Sequence, residues 1–267
     1  MDLGLSGKNV LLFGGNATIG YATSLSFAKE GANLVIASRD VAASQRVADK
    51  AKKLGSKKAI AVKVDATKWK DVEEAVNKTR QELGGIDVCY HGVAWDIFGS
   101  FFDLDPKEWD RIIDVNLKSV LIAFKLILPI MKGQKHGSFI AMGSVMGRQG
   151  SPLEPVYGAC KAALLNLVHT LAMELGPFGV RVNMVAPGPT PPTDQEMLSS
   201  GSGFKEFMRD KEEFQRLVEE WSAGNPLRKV GNPYDAASAV LFLASDITAG
   251  HQTGQVIGVD GGWYMPH

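Results

Sequence analysis

Seven short runs rich in β-branched residues alternate along this chain with longer segments of helical periodicity. A repeated strand–helix–strand pattern predicts a parallel sheet with helices packed on both faces. Connections of this kind give a doubly wound α/β fold, in which ligands bind beyond the carboxyl ends of the strands. The predicted strands are Asn9–Phe13, Asn33–Ala37, Ala59–Val64, Val88–His91, Ser138–Met142, Val180–Val185 and Val256–Val259.

The predicted helices fill the intervals between these strands, and no shift in composition divides the chain. We therefore predict one domain over residues 1–267, a length that suits a single α/β unit. The helices are expected at Tyr21–Glu30, Val41–Leu54, Asp71–Leu83, Lys107–Met131 and Tyr157–Leu175.

The segment from about residue 188 to residue 231 departs from this alternation. Pro, Gly and Ser residues come first, and the stretch "FKEFMRDKEEFQRLVEEW" then has the periodicity of one helix. Because the segment follows the carboxyl end of a strand, we expect it to form a helical lid over the site. The alternative is a helix packed at the periphery. Its apolar face consists of Phe204, Phe207, Met208, Phe214, Val218 and Trp221.

Composition narrows the functional classes. The 29 Lys and Arg residues balance 29 Asp and Glu residues, whereas a nucleic-acid-binding protein usually carries a basic excess. The most apolar segment, "SVLIAFKLILPIM", contains Lys125 and Pro129 and is too short to span a bilayer. Cys89 and Cys160 belong to no CxxC pair or His/Cys cluster, so we predict buried thiols and no metal site. We expect a cytoplasmic protein that binds neither nucleic acid nor membrane.

The stretch "LLFGGNATIG" predicts a phosphate-binding turn between the first strand and the first helix. Gly14 and Gly20 bracket the corner, and a helix starting near Ile19 presents free N–H groups and a positive dipole end to a pyrophosphate. Thr18 stands where a third glycine is common, and its hydroxyl could donate to a phosphate oxygen. Asn16 lies within the same turn and is also expected to contact the cofactor.

The second strand ends in "NLVIASRD", which bears on the choice of dinucleotide. An NAD-binding fold usually ends this strand with a carboxylate that binds the ribose 2′-hydroxyl. Here Ser38 and Arg39 stand at that place, and a hydroxyl with a guanidinium suits a 2′-phosphate. NADP(H) is therefore favoured over NAD(H). The alternative is that Arg39 only pairs with Asp40.

The strongest chemical signal lies in "GSVMGRQGSPLEPVYGACKAALLN". Tyr157 and Lys161 are four residues apart, so on a helix they share one face. A tyrosine with an unperturbed pKa near 10 is a poor proton shuttle at neutral pH, and we expect the ammonium to lower that pKa. Ser144 follows a strand and is expected to hydrogen-bond the substrate oxygen.

Over essentially its whole length, the chain resembles the short-chain dehydrogenase/reductase superfamily. The similarity rests on the turn already quoted, on "VDAT", "GGID" and "DVNLKS", on the Ser–Tyr–Lys set, and on "VNMVAPG" and "DGGW". The resemblance implies an oxidoreductase that interconverts a secondary alcohol and a ketone with a nicotinamide cofactor. It also implies a homotetramer or homodimer formed through the two longest helices and the last strand.

The family pattern assigns roles to individual positions. Tyr157 would be the acid and base, Lys161 would hold the nicotinamide ribose, Ser144 would orient the carbonyl, and Asn116 would support a water relay. The cofactor contacts implied by the turn, the strand ends and the resemblance are Gly14, Asn16, Thr18, Ile19, Gly20, Ser38, Arg39, Asp65, Ala66, Gly92, Tyr157, Lys161, Pro187, Gly188, Thr190 and Thr193.

Some positions depart from the family pattern. Phe13 replaces a common threonine, and His91 replaces an asparagine that braces the sheet, so we interpret His91 as structural and not as a metal ligand. The threonine expected after Pro187–Gly188 falls on Pro192, which leaves Thr190 and Thr193 as alternatives for the nicotinamide contact.

The substrate is expected to be apolar and cyclic or a 3-oxoacyl compound, because the predicted pocket is lined by Trp95, Phe98, Met146 and Leu153. The stretch "LEPVYGACK" and two others further resemble the 2-hydroxycyclohexanecarboxyl-CoA dehydrogenases. A CoA thioester would favour basic residues at the rim, and Arg148, Lys205 and Arg209 are candidates, with solvated surface charge as the alternative. The alternative function is a non-catalytic NADP-binding sensor or scaffold.

Overall fold

The computed structural model describes residues 2–201, 204–208 and 210–265. Its centre is one parallel sheet of seven strands in the order β3-β2-β1-β4-β5-β6-β7. The predicted doubly wound α/β architecture is therefore confirmed, with strand ends shifted by at most two residues. The strands are β1 Asn9–Phe13, β2 Asn33–Ser38, β3 Ala59–Lys63, β4 Val88–His91, β5 Gly137–Met142, β6 Val180–Pro187 and β7 Val256–Val259.

Two apolar layers cover the two faces of the sheet. Side chains alternate between faces along a strand, so Val10 and Leu12 pack with one layer while Leu11 and Phe13 pack with the other. This burial on both faces explains why the strands read as nearly continuous apolar runs. The first layer holds residues of helices α1, α2 and α9, and the second holds residues of α3, α5 and α6. The helices are α1 Thr18–Lys29, α2 Val41–Leu54, α3 Trp69–Leu83, α4 Lys107–Ile113, α5 Ser119–Gln134, α6 Pro155–Leu175, α7 Phe204–Phe207, α8 Lys211–Ala223, α9 Pro233–Ala244 and α10 Asp246–Ala249.

The strand order reverses between β1 and β4, and the ends of these two strands lie level. Phe13 is paired with His91 in the register, and His91 with Ala141 of β5. A reversal of this kind opens a crevice at the carboxyl edge, where doubly wound folds bind ligands. The loops that follow these strands carry several of the predicted site residues, among them Gly14, Gly92 and Ser144.

The predicted long helix Lys107–Met131 is interrupted in the structure. A π-helical turn, Asp114–Lys118, separates α4 from α5. Single π turns of this kind occur inside α-helices and are frequent at functional sites. Pro129 is accommodated within α5, which extends to Gln134.

The prediction of a single amphipathic helix between residues 204 and 221 is wrong, because the structure has two helices there. Asp210 caps α8 by accepting hydrogen bonds from the N–H groups of Glu212 and Glu213, both at 3.0 Å. A cap of this strength starts a new helix and ends the periodicity of the preceding one. No residue of α8 is buried, and Phe204 meets Trp221 edge-on with ring centroids 6.4 Å apart. The side chain of Phe207 lies outside the described residues.

By length and composition alone, the helix from Pro155 to Phe178 could cross a membrane. In the fold its inner face, which includes Leu164 and Val168, packs in the apolar layer on β6. The two cysteines are free and buried, as predicted.

Candidate active site

The turn after β1 requires glycine at both of its ends. Gly14 has φ +73°, and its N–H donates to Ala37 O at 2.9 Å. A Cβ on Gly20 would lie 1.9 Å from the carbonyl oxygen of Gly14, a distance that no side chain tolerates. The chain therefore folds tightly from β1 into α1, and the amino end of α1 faces the crevice.

The amino end of α1 fits a dinucleotide phosphate. Ala17 is the N-cap and supplies no side-chain hydrogen bond, and the first turn contains no acidic residue. The N–H groups of that turn are therefore available to a ligand anion. Thr18 adopts φ +42°, the left-handed region where a β-branched residue is strained, which explains the glycine common at this place. Asn16 is 4% exposed, and Ile19 packs on the adjacent apolar layer.

At the end of β2, Ser38 is hydrogen-bonded within the fold, whereas Arg39 is exposed. The Ser38 hydroxyl lies 3.0 Å from Asp40 O and 2.8 Å from Ser44 Oγ, so a phosphate contact would require it to leave these partners. Arg39 is exposed and takes part in no ion pair among the described residues. Asp40 does not pair with Arg39, because its carboxylate accepts from Ala43 N and Ser200 N, both at 2.9 Å.

The ends of β3 and β4 supply the groups expected near the adenosine. Asp65 Oδ1 accepts from the N–H and hydroxyl of Thr67, and Ala66 beside it is buried. Gly92 donates its N–H to Phe13 O at 2.9 Å, and a Cβ there would lie 2.1 Å from the Tyr90 hydroxyl. Gly92 therefore brings the β4 loop against the turn after β1.

The segment after β6 separates the two threonine alternatives. Gly188, following Pro187, donates to Val259 O at 3.1 Å. Thr190 is 7% exposed and donates to Gly188 O at 2.9 Å, whereas Thr193 is exposed and contacts only the Met197 sulfur, at 3.6 Å. The Thr193 hydroxyl is thus the freer of the two.

Ser144, Tyr157 and Lys161 meet between the end of β5 and the start of α6. Ser144 caps a 3₁₀ turn, Val145–Gly147, and its hydroxyl lies near enough to Tyr157 to lower the pKa of the phenol. Gly147 and Gly158 permit this approach: a Cβ on Gly147 would lie 2.7 Å from the carbonyl carbon of Lys161, and one on Gly158 would lie 3.0 Å from Met146 O. The structure therefore places these three residues near one another, and their catalytic roles stay predictions.

Lys161 is almost completely buried, with 1% of its surface exposed. Its ammonium donates to Met142 O at 3.0 Å and lies 5.2 Å from the centroid of the Tyr157 ring. Burial disfavours the charged form and lowers the pKa of Lys161 to about 8. The ammonium is therefore held at a fixed place by the end of β5.

The pKa of Tyr157 is raised in this structure, whereas the sequence analysis expected the Lys161 ammonium to lower it. Burial is the main cause, the negative charges of Glu154 and Asp96 raise the pKa further, and the Ser144 hydroxyl lowers it. The phenol consequently favours its protonated form. A protonated phenol is ready to donate to a carbonyl oxygen.

Asn116 lies at the middle of the π turn and is fully buried. Its amide donates to Ile112 O at 3.0 Å and to Trp95 O, and its Oδ1 accepts from Trp95 N at 3.4 Å. The side chain thus fixes the loop after β4 against α4. A role of Asn116 in a water relay stays a prediction.

The four predicted pocket residues lie in the loop after β4 and in the segment between β5 and α6. Trp95 belongs to the same small apolar cluster as Tyr157, and the Arg111 guanidinium lies 3.6 Å from the centroid of its ring. Leu153 and Phe98 are half exposed, and Leu153 O accepts from Gly99 N at 3.0 Å, which joins their loops. Met146 follows Ser144 directly, and its N–H donates to Ser144 Oγ at 3.2 Å.

Arg148 is not a free basic residue of the rim, contrary to expectation. Its guanidinium donates to Val256 O of β7 and lies 5.4 Å from the Tyr264 ring. Lys205 is exposed, and Arg209 lies outside the described residues. His91 is buried against Phe13 with ring centroids 5.5 Å apart, and burial lowers the pKa of His91 to about 3.

Two carboxyl groups beside Tyr157 were missed by the sequence analysis. Glu154 precedes Tyr157 by three residues, a spacing that places both on one helical face and could have indicated it. Asp96 lies in the irregular loop after β4, where no periodicity marks a residue. Both act on Tyr157 through their charge.

Comparison with known proteins agrees with this geometry. A family model described as enoyl-(acyl carrier protein) reductase matches residues 14–264. The 3-oxoacyl-[acyl-carrier-protein] reductase FabG of Thermotoga maritima is 34% identical, over 97% of this chain and 98% of the relative. The 2-(S)-hydroxypropyl-CoM dehydrogenase 3 of Xanthobacter autotrophicus is 32% identical, over 97% of each chain.

Solved structures show the same fold. A short-chain type dehydrogenase/reductase from Mycobacterium marinum has a TM-score of 0.83 and 29% identity, over 98% of this chain and 97% of its own. The NADH-dependent reductase A1-R′, responsible for alginate metabolism, has a TM-score of 0.84 and 25% identity, over 99% and 100%. None of these four proteins is a 2-hydroxycyclohexanecarboxyl-CoA dehydrogenase, so that finer similarity stays a hypothesis. With its parallel sheet, its Ser–Tyr–Lys site and these relatives over nearly its full length, the chain belongs to the short-chain dehydrogenase/reductase superfamily and is an oxidoreductase acting on CH–OH and ketone groups.

Proposed function

We propose that this protein is an NADP(H)-dependent ketoreductase in which Tyr157 transfers the proton. The observation that carries the proposal is the meeting of Ser144, Tyr157 and buried Lys161 at one end of the sheet, beside the uncapped amino end of α1. When bound, the nicotinamide would supply or accept the hydride. A sensor or scaffold would have no need of a buried lysine beside a buried phenol, so we favour catalysis over that alternative.

In the proposed mechanism, Tyr157 donates its phenolic proton to the substrate oxygen as the ketone becomes an alcohol. Ser144 donates a second hydrogen bond and fixes the carbonyl, a contribution of geometry and electrostatics. Lys161, held by Met142 O, stabilises the phenolate that remains. In the reverse direction the phenolate accepts the proton.

The proposed cofactor contacts follow the crevice from end to end. Gly14, Gly20 and the N–H groups of the first turn of α1 would hold the pyrophosphate, Asp65 the adenine, and Lys161 the ribose nearest the reaction. The remaining contacts are proposed at Asn16, Thr18, Ile19, Ser38, Arg39, Ala66, Gly92, Tyr157, Pro187, Gly188 and one of Thr190 and Thr193.

The preference for NADP(H) rests on Arg39. It is exposed, it follows β2, and the Asp40 carboxylate beside it is bonded to two backbone N–H groups. A guanidinium–phosphate contact contributes roughly 1.5–3 kcal/mol, or about 10- to 100-fold in affinity. Replacement of Arg39 by Ala should therefore weaken NADPH binding by that factor and leave NADH binding unchanged. Lys53→Ala, which removes an exposed charge from α2, is the matched control.

The catalytic proposal is tested with Tyr157→Phe. General acid catalysis contributes about 10²- to 10⁴-fold, so NADPH consumption with a cyclic ketone should fall at least about 100-fold while the Kd for NADPH stays unchanged. Near-normal turnover by this variant would exclude the mechanism. Binding of NADPH by the wild-type protein without turnover of any carbonyl compound would restore the sensor alternative.

The substrate is proposed to be an apolar cyclic ketone or a 3-oxoacyl compound, because the proposed pocket residues Trp95, Phe98, Met146 and Leu153 are apolar and Trp95 packs with Tyr157. The two substrate classes are distinguished by comparing the turnover of a cyclic β-keto acyl-CoA with that of a cyclic ketone that lacks the thioester. Strong preference for the thioester would place the protein in acyl-CoA metabolism. Equal use of the free ketone would remove the CoA hypothesis.

Three further expectations remain part of this proposal. Residues 188–231 would act as a lid, since α8 has no buried residue and Ser200 N donates to Asp40 at the cofactor end. The protein would form a homodimer or homotetramer, and it would reside in the cytoplasm, where buried free thiols such as Cys89 and Cys160 stay reduced.

A further inference from the structure

Two carboxyl groups lie beside the hydroxyl of Tyr157, and nothing in the proposed reaction uses them. Asp96 comes from the loop after β4, and Glu154 is the N-cap of α6, where its side chain makes no capping hydrogen bond. The Gly99 N–H donates to Leu153 O at 3.0 Å and so ties the two loops together. The two carboxyl groups thereby lie close enough together for each to shift the pKa of the other.

A hydrogen bond between two carboxyl groups requires a proton, because ionised carboxylates only accept. Oδ2 of Asp96 has no solvent-accessible surface, and no donor among the described residues reaches it. One proton held between Asp96 and Glu154 would supply the missing donor and would leave one negative charge on the pair. Burial and the neighbouring Glu154 raise the pKa of Asp96 to about 7, in agreement with a shared proton.

The charge of the pair is not neutralised by an ion pair. Within the described part of the chain, no basic side chain lies within salt-bridge distance of Asp96 or Glu154. The ammonium of Lys161 is directed to Met142 O instead. The Ser151 hydroxyl donates weakly to Glu154 Oε2, at 3.3 Å. The pair therefore carries a net negative charge and can accept hydrogen bonds next to the place where the carbonyl would react.

We propose that Asp96 and Glu154 are specificity-determining residues that accept a hydrogen bond from a substrate hydroxyl group at the position β to the reacting carbonyl and reject an anionic group there. The inference rests on the proposed ketoreductase function. A substrate hydroxyl that donates to the pair gains a charge-assisted hydrogen bond. A substrate carboxylate at the same place meets a like charge in a site where water screens it poorly.

Three ketones of equal chain length test the proposal: a methyl 3-oxoester, the corresponding 3-oxocarboxylate, and a β-hydroxyketone. The wild-type protein should use the ester about 30- to 100-fold better than the carboxylate, as kcat/KM, since like-charge contacts cost several kcal/mol. The difference should lie in KM, because the repulsion acts on bound substrate and transition state alike. The β-hydroxyketone should be the best of the three.

The informative variant is Asp96→Asn with Glu154→Gln, which keeps the shape of both side chains and removes their charge. We expect the ester-to-carboxylate ratio to fall to about 3-fold or less and the advantage of the β-hydroxyketone to fall about 10-fold. The matched control is Asp110→Asn with Glu174→Gln, which removes two exposed carboxylates elsewhere and should leave both ratios unchanged. Should the double variant not fold, Glu154→Gln alone keeps a donor for Asp96 and should move both ratios in the same direction.

Different results would overturn the ketoreductase function and the role of the Asp96–Glu154 pair. If the wild-type protein reduces none of the three ketones with NADPH or NADH, both the function and this inference are overturned. If it reduces them and a folded Asp96→Asn, Glu154→Gln protein keeps the wild-type ratios, the function stands and the role of the pair is overturned.

Discussion

Gly147 lies so close to Lys161 that a Cβ on the glycine would stand 2.7 Å from the lysine's carbonyl carbon and 2.9 Å from its Cβ. Both neighbours belong to the backbone or the root of the side chain, so neither can move aside. The contact places the turn that bears Ser144 on the helix that bears Tyr157 and Lys161. The relative placement of Ser144, Tyr157 and Lys161 therefore depends on a residue that has no side chain.

Replacement of Gly147 by Ala should lower kcat by about 10- to 100-fold, because displacement of a catalytic group by about 1 Å has effects of this size. Stopped-flow or steady-state NADPH consumption would measure it. Gly150→Ala in the same loop is the control, since a Cβ there meets nothing within 4 Å. Equal activity of both variants would show that the close contact does not position Ser144.

Thr18→Gly should stabilise the protein by about 1 kcal/mol, because φ +42° costs a β-branched residue roughly 1–2 kcal/mol and glycine offsets part of the gain through its greater unfolded entropy. Chemical denaturation of the cofactor-free protein measures the change. Thr18→Ala keeps most of the strain and removes the hydroxyl, so a weaker Kd for NADPH in both variants would reveal a phosphate contact. An unchanged or lowered stability of Thr18→Gly would contradict the strain.

His91 should make the protein sensitive to acid. Its pKa is about 3 when folded, below the ordinary value of about 6.5, so between these values the unfolded state binds the additional proton. Stability is therefore lost as the pH falls from about 6.5 towards 3, by up to about 5 kcal/mol over the whole interval. His91→Asn should flatten this dependence, as followed by unfolding in urea at a series of pH values. If the free energy of unfolding had the same pH dependence in the two proteins, the pKa of His91 would be the same in the folded and unfolded states.

The two threonines after β6 should differ in their effect on cofactor binding. Thr193→Val should raise the Kd for NADPH several-fold, because its exposed hydroxyl has only a weak sulfur contact to lose. Thr190→Val should mainly lower stability, by about 1 kcal/mol, because its hydroxyl is bonded to Gly188 O. Isothermal titration and thermal unfolding of both variants separate the roles. The reverse pattern would assign the nicotinamide contact to Thr190.

The sequence predicted the sheet well, because each strand is a short apolar run whose pattern follows from burial on both faces. It also predicted Ser144, Tyr157 and Lys161, since two of them share a helix and the third ends a strand. The division between α7 and α8 was missed because the apolar periodicity continues across it. The Asp210 side chain nevertheless caps α8 and begins a new helix there. The direction of the pKa of Tyr157 and the position of Asp96 depend on burial and on a loop, and neither has a local signature in the sequence.

The π turn between α4 and α5 limits how well this region tolerates the loss of a residue. In an α-helix each residue advances the side-chain direction by about 100°. The widened turn separates the angular phase of α4, whose Ile112 faces the Trp95 cluster, from that of α5, whose Ala123 and Ile127 face the sheet. Loss of one residue within Asp114–Lys118 would restore a continuous helix but would rotate one of these two faces out of alignment. The π turn thus allows α4 and α5 to present different faces to their neighbours, while Asn116 stays in the turn between them.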